Sequence, residues 1–83
     1  SARELASGIC RAACEQRALQ LLDQTVALRR LRLRWTTEGL RLRRTYRFEF
    51  SDAGAERYSG YLTLVGLDLE ELSFRLPEQV RDS

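Results

Sequence analysis

An 83-residue chain has room for one domain and a small core, since a fold of this size hides only about 60–65 % of the surface its unfolded chain exposes. With 43 % apolar and 31 % charged residues and a single proline, the composition is that of a globular domain rather than a disordered segment. All fourteen basic residues are arginine, the net charge is +2 and histidine is absent, which removes the commonest general base and the commonest metal ligand together. No apolar run approaches the length that crosses a bilayer, and no apolar stretch precedes a small-residue cleavage site. One domain over residues 1–83 is expected. The chain opens on Ser1-Ala2 and runs straight into helix-like sequence without an initiating methionine, which points to a natural N-terminus upstream.

Ala2 to about Ala18 reads as a helix, because alanine, leucine, arginine, glutamate and glutamine dominate it and Leu5, Ile9, Ala12, Ala13 and Gln16 fall on one side. Ala6, Cys10, Ala13 and Cys14 are small, so such a helix can lie close across a sheet. Gly8 costs it roughly 1 kcal/mol relative to alanine. Cys10 and Cys14, four residues apart, read as buried thiols of a reducing compartment, since secreted mini-domains use more bridges at wider spacing. A closed zinc site would need two further ligands that only carboxylates could supply, so no metal and no cofactor is expected.

Asp23, Gln24 and Thr25 favour a turn or an irregular entry to the first strand, placed at about 20–35. Its apolar residues change parity: Val26 and Leu28 are even-numbered, whereas Leu31, Leu33 and Trp35 are odd. A β-bulge at Arg29-Arg30 keeps all five on one face. Thr36 to Gly39 form a four-residue loop, with Gly39 suited to positive φ. The return strand, about 40–51, puts Leu40, Leu42, Tyr46, Phe48 and Phe50 on one face and Arg41, Arg43, Thr45, Arg47 and Glu49 on the other. Consistent faces then pair Trp35 with Leu40, Leu33 with Leu42, Leu28 with Tyr46 and Val26 with Phe48, and set Arg34 opposite Arg41 and Arg32 opposite Arg43. Arg44 is the outlier on the apolar face.

A third strand at about 57–67 is apolar on both faces, as a central strand is, with Gly60 opposite Phe48 and Leu62 opposite Tyr46. A fourth, at about 69–76, turns Leu72, Phe74 and Leu76 inward; Pro77 stops it and a loose tail follows from Glu78. The fold class is α+β: one N-terminal helix packed on a four-stranded antiparallel meander sheet. The helix is expected on the face bearing Leu33, Leu42, Phe48, Leu62 and Phe74.

Charge is concentrated. Residues 29–47 carry eight arginines against Glu38, net +7, while residues 48–83 carry three arginines against eight acids, net −5. The candidate binding face is Arg30, Arg32, Arg34, Arg41, Arg43 and Arg47 beside Tyr61, because arginine grips phosphate bidentately and an aromatic on a sheet offers a stacking platform. A competing account has Asp68, Glu70 and Glu71 neutralise those arginines within the fold. Asp23 near Thr25 and Glu49 beside Ser51 are commonplace neighbours, and no nucleophile with an orienting base is present, so an enzyme is not expected.

The stretch from Cys14 through Leu19-Gln20-Leu21-Leu22-Asp23-Gln24-Thr25-Val26-Ala27-Leu28, the arginine- and leucine-rich strand after it and Tyr46-Arg47-Phe48-Glu49-Phe50-Ser51, with Gly54, Arg57, Gly60 and Gly66 beyond, resembles the bacterial domain of unknown function 3301 family. The resemblance implies a small protein with one hydrophobic N-terminal segment, here lying outside the chain, and no assigned activity. With such an anchor, an arginine-rich domain next to it belongs on the cytoplasmic side of the inner membrane. A membrane helix running into a helix laid on an antiparallel sheet also resembles minor pilin subunits, which are exported; the positive charge opposes that placement. The expected function is a non-enzymatic interaction module that binds another protein, or a second copy of itself, through its sheet face or edge. Nucleic-acid or anionic-lipid binding through the arginine ribbon is the alternative.

Overall fold

Ser1 starts the helix by accepting the Glu4 amide N–H at 3.3 Å, while the Glu4 carboxylate receives the Ser1 amino group in return. This reciprocal cap satisfies two donors that a helix start otherwise leaves open. A computed structural model describes residues 1–75, in which helix α1 (Ala2–Gln16) is followed by strands β1 (Gln20–Thr36), β2 (Gly39–Ser51), β3 (Arg57–Val65) and β4 (Asp68–Arg75). The strands form one antiparallel sheet in the order β1-β2-β3-β4, so the chain is an α+β fold of one helix and a four-stranded meander. The expectations for Leu76, Pro77 and the tail from Glu78 lie outside the described residues.

The buried stripe of α1 is Ala6, Cys10, Ala13 and Cys14, spaced one and two turns apart. Because these side chains are small, the helix comes close to the sheet, and the larger Leu5 and Ile9 pack at the margin. Ala12 and Gln16, expected on the packed side, are exposed. The helix also stops at Gln16 rather than Ala18. The amides of Arg17 and Leu19 both return to the Cys14 carbonyl, and Ala18 turns to φ 56° between them. The Arg17 guanidinium then covers the Phe74 ring at 4.4 Å, tying the helix end to β4.

The β1–β2 register pairs Trp35 with Leu40, Leu33 with Leu42 and Leu28 with Tyr46, and it opposes Arg34 to Arg41 and Arg32 to Arg43. Arg29 is the extra residue of a bulge between Leu28 and Arg30. A second irregularity, between Leu22 and Ala27, replaces the expected pairing of Val26 with Phe48. There the Thr25 hydroxyl donates to the Leu22 carbonyl at 2.6 Å and accepts the Glu49 amide at 2.8 Å, a side chain standing in for the ladder. The hairpin is tighter than a four-residue loop: Thr36 pairs with Gly39 across Thr37-Glu38, and Gly39 takes φ 107°.

Phe48, Phe50, Leu62 and Leu64 are fully buried beneath the helix, joined by Tyr46, Val26 and Leu21, with Leu72 and Phe74 packed against them. Phe48, Phe50 and Phe74 meet edge-on or tilted at centroid distances of 5.1–5.9 Å. The core occupies only half of this face. Leu33 and Leu42, expected under the helix, are exposed. The reason is length: a 15-residue helix spans about 22 Å, whereas the molecule is 44 Å long.

Candidate interaction surfaces of the β1–β2 ribbon

Register places Arg30, Arg32, Arg34, Arg41, Arg43, Arg47 and Tyr61 on the sheet face opposite the helix. Two of the arginines, Arg34 and Arg43, share one carboxylate. Glu70 is the extra residue of a bulge in β4, and it receives Arg34 Nη1 at 2.7 Å and Arg43 Nε at 2.9 Å. Those two guanidinium groups, Arg43 first, hold the Glu70 carboxyl below its ordinary value. At the other end Glu49 takes Arg47 at 3.1 Å and Arg57 at 3.4 Å. Among the described residues Arg30, Arg32 and Arg41 have no ion pair, and Arg41 donates to the neighbouring Leu40 carbonyl. The face is thus half neutralised from within, by Glu70 and Glu49 rather than by Asp68.

The row Arg30–Thr45–Thr63–Glu71 crosses all four strands at the middle of this face. Two short threonines flanked by long side chains leave a groove of about 450 Å³, lined also by Arg29, Arg43, Tyr61 and Ser73. Thr63 is buried, and its hydroxyl shares a hydrogen bond with that of Thr45 at 3.2 Å. The groove carries positive charge at the β1 side and Glu71 at the β4 side, so it suits no purely anionic ligand along its whole length.

The helix-side face of the same ribbon is apolar and open. Leu28, Leu31, Leu33, Trp35, Leu40 and Leu42 lie there, with Trp35 79 % and Leu33 67 % exposed. Arg44 stands among them, between Leu31 on β1 and Leu64 on β3, without an ion pair among the described residues. Leu28, Leu31, Leu33, Trp35, Leu40 and Leu42 are each at least 36 % exposed and adjoin one another across β1 and β2, and a contiguous apolar group of this extent is uncommon on a monomer. The sequence pattern assigned these residues to the apolar face that the helix was expected to cover, because alternation specifies a face and not what covers it. The signal available was the mismatch between a strand of some 16 residues and a helix too short to shield it.

Cys10 and Cys14 are free and buried, and burial pushes the Cys10 thiol up to about 12 and raises that of Cys14. Neutral buried thiols are poor nucleophiles and poor metal ligands. Asp23 is engaged by Arg11 and Glu49 by two arginines, so neither stands as a poised carboxylate. Among the described residues no three of the histidine, cysteine, aspartate and glutamate side chains gather as a metal would require. Among the described residues no helix is long and apolar enough to cross a membrane.

Fold and surfaces together define a small α+β domain that presents a two-faced β-ribbon, half-neutralised arginine on one side and open leucine and tryptophan on the other. Over residues 1–76 the chain matches the family described as "Protein of unknown function (DUF3301)", and it belongs to that family. No curated protein and no solved structure matches it.

Proposed function

We propose that this domain is a non-enzymatic interaction module, and that its docking surface is the uncovered apolar half of the helix-side sheet face. The observation that carries the reading is the strip of leucines with Trp35 left in solvent where the rest of the sheet has a second layer. A sheet with one bare apolar face is stable in water only at a cost that a bound partner removes. A membrane tether upstream of Ser1, implied by the family resemblance, would place the module at the inner membrane on its cytoplasmic side. The arginine face has the weaker claim, since Glu70 and Glu49 already occupy four of the basic side chains around it.

Two double variants of the full-length protein separate the readings. Leu31→Asp with Leu33→Asp should abolish co-purification of the protein partner at high salt, whereas Arg30→Gln with Arg32→Gln should leave it intact. Nucleic-acid binding would instead fall steeply with salt and depend on the arginines. A salt-sensitive shift of labelled RNA or DNA, lost in the arginine variant and kept in the leucine variant, would replace this reading with the alternative.

A further inference from the structure

We infer that the occupant of the apolar strip is an acidic amphipathic helix of a protein partner, seated in the same layer as α1; this rests on the reading of the strip as the docking surface. The strip's dimensions set the shape. From Leu28 to Trp35 it runs about 25 Å, and it is two strands wide, about 10 Å with side chains, the diameter of one helix. A helix of about 16 residues would fill it. The layer already has this construction at its other end, where α1 covers the core and Arg3 near its start donates to the Val26 carbonyl at 3.1 Å. An incoming helix would continue the two-layer arrangement from that border to the hairpin.

Charge selects among occupants. The Arg44 side chain is half-buried on the strip, with no ion pair or side-chain hydrogen bond among the described residues. Docking an apolar body over it would strand a desolvated guanidinium, so the partner must bring a carboxylate at that point. A second copy of this chain answers poorly, because its own strip would bring leucines and a second Arg44 to the contact and no carboxylate to meet them. A lipid surface also answers poorly. The unpaired Arg30, Arg32 and Arg41 project from the opposite face of the sheet, away from whatever touches the leucines. A helix with an apolar stripe and flanking glutamate or aspartate meets both the leucines and Arg44.

Trp35 is the chain's single tryptophan and lies in the strip, so its emission reports docking directly. The probes are a designed 16-residue amphipathic helix with a leucine stripe and glutamate flanks, the same peptide with lysine in place of glutamate, and phosphatidylglycerol vesicles. The acidic peptide should shift Trp35 emission to the blue and bind at least about tenfold more tightly than the lysine isomer. Arg44→Gln should shrink that preference to less than about threefold, and Leu33→Asp should abolish binding of both peptides with an unchanged far-ultraviolet circular dichroism spectrum. Equal binding of the two peptides, or of neither, overturns the helix assignment. So does a blue shift given by vesicles alone, or a concentration-dependent dimer that Leu33→Asp dissolves. If the peptides fail while the Leu31 and Leu33 aspartate variant still loses its cellular partner, the helix is wrong and the docking face stands. If that variant keeps its partner, the face itself is wrong.

Discussion

At Gly60 an added Cβ would lie 2.5 Å from the Ser73 carbonyl oxygen and 2.6 Å from Phe48 Cζ, with backbone on one side and a fully buried ring on the other. Neither can yield cheaply, so Gly60→Ala should lower unfolding free energy by about 1–3 kcal/mol in a urea titration. Gly8, in the middle of α1, has nothing within 4 Å of such a Cβ. Gly8→Ala should therefore raise stability by about 0.5–1 kcal/mol. Opposite signs at two glycines test the close approach of Phe48 to β3; a neutral Gly60→Ala would contradict it. That approach was legible in the sequence, since pairing by parity sets Phe48 opposite Gly60. The bulge at Arg29 was legible for the same reason. The second irregularity was legible in its place, since Asp23, Gln24 and Thr25 read as an irregular entry to the strand, but not in its mechanism, which depends on the Thr25 hydroxyl accepting the Glu49 amide of β2 in place of a ladder partner. The thiols give a pH prediction with a definite sign. Cys10, raised from 9.0 to about 12, stays protonated in the folded chain while the unfolded chain loses that proton. Stability from this source is complete below pH 9 and falls between pH 9 and pH 12, and Cys10→Ala should flatten that decline.

At the scale of elements, β4 is tied to the arginine face of the β1–β2 ribbon through Glu70. Glu70 holds Arg34 and Arg43 together, and its carboxyl is lowered from 4.5 by them. A lowered carboxyl contributes stability above its unfolded value, which disappears as pH falls through the folded value; Glu70→Gln should match the wild type in strong acid and be the less stable of the two near neutrality. The same variant frees two guanidinium groups, so it should elute later than the wild type from a heparin column. An unchanged elution position would mean that the arginine face was open all along. Which acid reaches the ribbon was not legible. Asp68, Glu70 and Glu71 are equivalent in the sequence, and only the bulge that displaces Glu70 from the ladder distinguishes it. The helix shows the converse. Its small-residue stripe was readable, but the choice between that stripe and the one through Ala12 and Gln16 follows from closeness of approach, which a helical wheel does not contain.

For the molecule as a whole, the sheet is longer than the layer that covers it, and stability and binding should separate along that boundary. Leu62→Ala, under the helix, should cost about 2–5 kcal/mol. Leu33→Asp, on the open strip, should leave thermal unfolding nearly unchanged, since an exposed site has little burial to lose. If both variants unfold early, the strip is core and no docking surface exists. The central claim, that the ribbon meets its partner through the leucine face rather than the arginine face, is tested most directly by photo-crosslinking in cells from adjacent positions of β1. A benzophenone side chain at Leu33 and one at Arg32 point to opposite sides of the same strand. The account predicts a strong protein adduct from position 33 and none above background from position 32; an adduct from 32 with silence at 33 would contradict it.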